Sequence, residues 1–214
     1  MKIIEIITHY KSLDNLESIF ENRKKYHPDT YYIIVDNSNT FEPPKDFNGI
    51  VLDGMQNHID GLSTSDYHYL GTSQGLNYLR YVIRDDLSQD YNYVLVSQQD
   101  MFFYKSISEL PEHSFIQTIH YDKTWDKPCT DIWFGIDMNM FSKLDLDIHN
   151  SFLAMTDTRI EIGGDNWDGD IIDINCELIT HTKNDYQEFK FQGELICTNM
   201  LELLHRGVVK EING

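Results

Sequence analysis

Cysteine is scarce in this 214-residue chain, and the three present, Cys129, Cys176 and Cys197, are widely spaced and odd in number. They form no disulfide framework and no Cys-x-x-Cys metal motif. A reducing, cytoplasmic setting is therefore the expectation. Basic residues are also few, 17 against 35 acidic ones, for a net charge of −18. No Lys/Arg cluster exists to displace counterions from a phosphate backbone, which argues against nucleic-acid binding. A small anionic ligand stays open if backbone N–H groups or a bound cation offset the protein's own field. Long apolar runs are missing. The longest is Tyr31–Val35, whereas a bilayer-spanning helix needs about 20 apolar residues. The first residues carry one lysine, and Glu5 interrupts their apolar stretch, so no signal peptide is expected. Internal repeats, low-complexity stretches and interdomain linkers are absent as well.

What is present is a core. Hydrophobic residues make up 41% and aromatics 13%, too rich for a disordered chain. At about 150 residues per domain, one domain is expected. The first hundred residues alternate strand and helix. Lys2–Ile7 is a short β-branched run that stops at Thr8, His9 and Tyr10. Asp14 and Glu17 have capping-box spacing, and Leu13, Leu16, Ile19 and Phe20 recur at helical spacing up to Pro28. Tyr31–Val35 is a second strand ending in Asp36 and Asn37, and Ile50–Leu52 a third ending at Asp53-Gly54. Residues 54–72 are polar and lack periodicity. Leu76, Leu79, Ile83 and Leu87 lie on one helix face. Tyr93–Val96 is a fourth strand, ending in Ser97-Gln98-Gln99-Asp100. Short apolar strands alternating with helices predict an α/β fold, a mainly parallel sheet covered on both faces. Ligands of such sheets bind beyond the carboxyl ends of the strands. Those ends here carry Thr8, Tyr10, Asp36, Asn37, Ser97, Gln98 and Asp100. In the second half, Phe115–His120 and Ile132–Phe141 read as strands. Residues 196–206 fit either a helix or a strand.

Four constellations bear chemistry. Asp100, closing a buried strand, can hold a hard divalent cation against a diphosphate, or simply start a turn. Gly71-Thr72-Ser73-Gln74-Gly75 reads as a glycine-bearing loop before a helix, open to an anion or ribose, without the dinucleotide fingerprint or a P-loop lysine. Gly163–Asp170 places Asp165, Asp168 and Asp170 beside Trp167. One of these carboxylates could act as a general base, or the run could be a solvated acidic turn. In Leu204-His205-Arg206-Gly207, His205 could ligate metal and Arg206 a phosphate, or the four could end a helix. His181 is a competing ligand.

In order, these pieces resemble a GT-A-type glycosyltransferase, similar to the broad family-two group of nucleotide-sugar-dependent enzymes. Ile6–Tyr10 resembles the first strand and its nucleotide-facing turn. Ile33–Ser38 resembles the second-strand motif whose aspartate contacts the base. Gly71–Asn77 is similar to the glycine-bearing turn, and Tyr91–Asp100 to the strand entering the Asp-x-Asp metal motif. The first Asp of that motif falls on Gln98 and the last on Asp100. Gly163–Asp168 resembles the turn carrying the base, with Asp165 and Asp168 both eligible. Leu203–His205 resembles the late histidine completing the metal site.

The resemblance implies a single GT-A-like, Rossmann-like domain over 1–214. Residues 1–104 would be the nucleotide-binding half and 105–214 the acceptor half. It implies sugar transfer, inverting and assisted by Mn2+ or Mg2+, from a UDP-, GDP- or dTDP-linked donor to a glycan or other hydroxyl acceptor. Asp100 and His205 would hold the metal. Thr8, Tyr10, Asp36, Asn37, Gly71, Thr72, Gly75, Gln98 and Arg206 would hold the donor. Two alternatives stand beside it. A nucleotidyltransferase would carry a Gly-rich basic loop after its first strand, yet Thr8–Leu13 has only Lys11 and no glycine. A non-catalytic sugar- or nucleotide-binding module is favoured by Gln98.

Overall fold

The computed structural model describes residues 1–10, 16–60, 64–87, 90–110, 115–122, 127–138, 141, 171–175, 177–181 and 186–199. Its first part runs β1 (Ile3–His9), α1 (Leu16–Tyr26), β2 (Thr30–Asp36), β3 (Gly49–Asp53), a 3-10 turn (Met55–His58), α2 (Thr64–Tyr78), a π-turn (Leu79–Ile83), α3 (Arg84–Leu87) and β4 (Tyr93–Gln98). There follow β5 (Met101–Phe103), a 3-10 turn (Ile107–Glu109), β6 (Phe115–Asp122), β7 (Lys127–Asp137), β8 (Ile171–Asn175), β9 (Glu177–His181), β10 (Tyr186–Phe191) and β11 (Glu194–Asn199).

Two sheets result. The larger has the order β3-β2-β1-β4-β7-β6-β8, and the smaller β5-β11-β10-β9. The block β3-β2-β1-β4 is parallel throughout. Strand β7 runs antiparallel to β4 and β6. Strands from both halves of the chain join in each sheet, β4 with β7 and β5 with β11.

The α/β architecture follows from burial. Every residue of β1 is buried, as a central parallel strand requires. Its side chains alternate between faces. Ile4 and Ile6 join Ile33, Leu76, Leu79, Val94 and Val96 in one core cluster, against which Ile83 and Leu87 pack. The helical face read from Leu76 to Leu87 is therefore the face that covers this side. On the other side Ile7 packs with Phe20, Tyr32 and Ile34, and Ile3 with Met101, Phe103 and Ile196. Helix α1 and the small sheet cover that side. No helix among the described residues is long and apolar enough to cross a membrane.

Three local expectations need correction. Residues 54–72 are not featureless, because they contain the 3-10 turn and the start of α2 at Thr64. Gly71–Asn77 is accordingly not a turn before a helix but lies inside one. The glycines serve close approach: a Cβ at Gly75 would sit 2.4 Å from Ile6 Cγ2, and one at Gly71 2.6 Å from Thr8 Cγ2. Packing against the sheet outweighs their poor helix propensity of about 1 kcal/mol each. The strand expected over Ile132–Phe141 is β7, which starts earlier and ends at Asp137. Asp137 pairs with Tyr93, the first residue of β4, and the last backbone link across the pair runs from Met138 N to the Asn92 carbonyl at 3.0 Å. Met138 and Phe141 instead enter the core beside α2. Of the ambiguous stretch 196–206, residues up to Asn199 are strand β11, and 200–206 lie outside the described residues.

Candidate functional site

Because four adjacent strands run parallel, their carboxyl ends share one edge. Register pairs His9 with Asp36, Asp36 with Asp53, and Thr8 with Gln98. The sequence-distant strand ends thus form one continuous row.

At its centre Thr8 is buried, and its Oγ1 lies 3.2 Å from Thr72 Oγ1 of α2. Asn37, also buried, is wedged between two glycines. A Cβ at Gly54 would lie 2.0 Å from its Oδ1, and one at Gly71 2.9 Å from its Nδ2. Thr8, Asn37, Gly71 and Thr72 therefore lie together. The helix N–H groups at Gly71 and Thr72, two turns past Thr64, are spent inside α2 and are not free for an anion.

Asp36 is buried and organises its own loop. Its Oδ1 accepts from Ser38 N at 3.0 Å and Ser38 Oγ at 3.2 Å, and its Oδ2 accepts from Phe41 N at 2.9 Å. Each carboxylate oxygen is thus already engaged on the side of residues 38–41. Beside it Asn39 has a left-handed φ of 54°, a conformation Asn tolerates. Asn57 Nδ2 donates to the Asp36 carbonyl at 2.9 Å and to Asp53 Oδ1 at 2.8 Å. His58 Nε2 lies 2.7 Å from Asp53 Oδ2. The Asn57 and His58 contacts hold the Asp53 carboxyl below its ordinary range.

His9, only 1% exposed, lies on the α1 side of the row. Its Nε2 is 3.3 Å from Thr40 Oγ1, and its Nδ1 has no hydrogen-bond partner among the described residues. Burial pushes the imidazole below its ordinary value, partly offset by the Asp36 charge and a Gln99 contact. A small apolar cavity lies next to it, lined by Ile7, Ile19, Phe20, Ile34, Phe41 and Gln99.

Asp100 follows β4 and is 3% exposed. The turn carrying it is gripped from two sides. Gln99 Oε1 accepts from Tyr10 N at 3.0 Å and Gln99 Nε2 donates to Tyr10 O at 3.0 Å, so the side chain mimics a strand partner. From α1, Arg23 Nη1 donates to the Met101 carbonyl and Nη2 to Ser97 Oγ at 3.4 Å. Asn22 spans Phe103, accepting from its N–H and donating to its carbonyl at 2.8 Å each. The Arg23 charge is met by Glu5 at 3.3 Å, with both side chains 0% exposed. Ser97 Oγ also donates to Glu5 Oε1.

Sequence reasoning singled out none of Glu5, His9, Arg23 or Gln99 as site residues. One signal was available for Glu5: an acid inside a fully buried strand needs a buried partner. Asp165, Asp168, His205 and Arg206 lie outside the described residues, and of Gln98 only the backbone is described. His181 ends β9, three strands away from β5 in the small sheet, a separation of about 14 Å between those strands. Among the described residues no three His, Cys, Asp or Glu side chains cluster as a metal site. No protein-family model matches this chain, and no curated protein matches it either.

Proposed function

We propose that the chain is a GT-A-type glycosyltransferase, moving a sugar from a nucleoside-diphosphate donor to a hydroxyl acceptor. The observation that carries the reading is the row at the sheet edge. It unites Thr8, Asn37 and the Gln98–Asp100 turn, with a buried carboxylate beyond the central strand β4. That edge is where parallel sheets bind ligands.

In this reading the loop organised by Asp36 and the Thr8–Tyr10 end of β1 bind the nucleoside half of the donor. A buried carboxylate is a hard oxygen donor of the kind Mn2+ and Mg2+ prefer, and Asp100, with His205 as its expected partner, is the residue to hold such an ion. A divalent cation bound there would offset the diphosphate charge, which a chain of charge −18 with few bases otherwise repels. Asp165 or Asp168 takes the proton from the acceptor hydroxyl as its oxygen attacks the anomeric carbon and the nucleoside diphosphate departs.

The test is a screen of UDP-, GDP- and dTDP-sugars for hydrolysis and transfer, with Mn2+ and with EDTA. Metal-dependent turnover that Asp100→Ala abolishes supports the reading. Turnover untouched by EDTA removes the metal, and no turnover with any donor removes the enzyme. Gln98 favours a second reading, a module that binds a nucleotide-sugar without turning it over. Tight donor binding with no product is its signature.

A further inference from the structure

We propose that Gln99 is a positioning residue, tying the end of β1 to the turn that carries Asp100 so that the two flanks of the site keep a fixed relation. This rests on the reading of Asp100 as a metal ligand. The geometry behind it is specific. In parallel strands β1 and β4 the backbone ladder runs as far as Thr8 and Gln98. Beyond that pair the strands have no further ladder contact, and the Gln99 side chain takes over. Its amide reads both polar groups of Tyr10, N–H and C=O, at 3.0 Å each. The primary amide offers a donor and an acceptor in one plane at that reach. A glutamate would lose the donor, and an asparagine is one methylene short.

The other side of the turn is held by side chains of α1. Arg23, neutralised by Glu5, holds Ser97 and the Met101 carbonyl, and Asn22 holds Phe103. With α1 fixing the turn to the core, the Gln99 bridge is the element that refers it to Tyr10. Groups that hydrogen-bond a metal ligand directly are typically worth about 10- to 100-fold in affinity, and Gln99, acting through the backbone of the turn, belongs at the lower end of that range.

The experiment is a titration of Mn2+ into the full chain in the presence of UDP, GDP or dTDP, followed by electron paramagnetic resonance. Three kinds of variant are compared with the wild type. Gln99→Ala and Gln99→Met both delete the bridge, the second keeping the bulk in case the first fails to fold. Asp100→Ala removes the carboxylate itself. Asn48→Ala is the structural control, since Asn48 Nδ2 donates to the Thr30 carbonyl at 3.1 Å, at the opposite end of β2. The expected result is a loss of about 10-fold in Mn2+ affinity for both Gln99 variants and wild-type affinity for Asn48→Ala, with comparable small drops in Tm. Wild-type Mn2+ affinity in Gln99→Met, with Asp100→Ala unable to bind, overturns the positioning role alone. No Mn2+ binding by the wild type overturns the metal reading and this proposal together. An equal loss of affinity in Asn48→Ala shows a general effect of stability and also overturns it.

Discussion

Replacing His27 with glutamine should flatten the acid side of the stability profile. His27 is 2% exposed and packs edge-on to Phe103, with ring centroids 4.8 Å apart. Its Nε2 lies 3.2 Å from the Ile107 N–H, so that nitrogen accepts and the ring is neutral with its proton on Nδ1. Burial, then the Arg23 guanidinium, then the N-terminal amine push its pKa from 6.5 down to about 3. The sign follows directly. Below about 6.5 the unfolded chain takes up a proton at this position, and the folded chain does not until about 3. The contribution is therefore complete above pH 6.5 and is lost as pH falls through that window. With 1.36 kcal/mol per unit, the loss from pH 7 to pH 4 is about 3 kcal/mol. Glutamine can still accept from Ile107 through Oε1 and does not titrate. Urea unfolding of both proteins at pH 7, 6, 5 and 4 is the assay. The variant starts less stable, because it loses the Phe103 contact, and the gap to wild type narrows by about 3 kcal/mol at pH 4. Other acid-sensitive groups such as His9 act in both proteins and cancel in the difference. Parallel curves would refute the reasoning.

Gly75→Ala should lower stability by about 1–3 kcal/mol, although alanine is the better helix former, because its Cβ would meet Ile6. A raised melting temperature counts against the close approach. Glu5→Leu or Arg23→Met alone should cost about 3–5 kcal/mol by stranding a buried charge, and the double variant should cost less than either. A denaturant-measured double-mutant cycle decides, and additive losses dismiss the coupling. In the transferase assay, Asp168→Asn should leave donor binding intact and cut turnover about 100-fold or more if it is the base. Full activity passes the role to Asp165, and silence at both removes the assignment.

Strand and helix identity in the first hundred residues was legible because it is local. Tyr31–Val35 is a short apolar run and Ile3–Ile7 a β-branched one broken only by Glu5, both of buried-strand type, and Leu76 to Leu87 repeat at helical spacing. From these the parallel α/β architecture followed, and so did the edge at which Thr8, Asp36, Asn37 and Asp100 gather. What tertiary structure alone decided depends on contacts far apart in the chain. Gly71 and Gly75 signal a turn by local propensity, yet they lie inside α2, because Thr8 and Ile6 come so near that no Cβ fits. The end of β7 is set by where β4 begins, not by its own residues, whose alternation of apolar and polar runs on past Asp137 to Met140. Asp36 looks from sequence like a ligand contact, while its oxygens bind the loop that follows. Glu5 and Arg23 each look out of place in isolation. Only the packing of α1 against β1, β4 and β5 turns them into a neutral pair beneath the Asp100 turn. Periodicity encodes which face is buried, but it carries no record of which distant backbone group a side-chain amide such as that of Gln99 will reach.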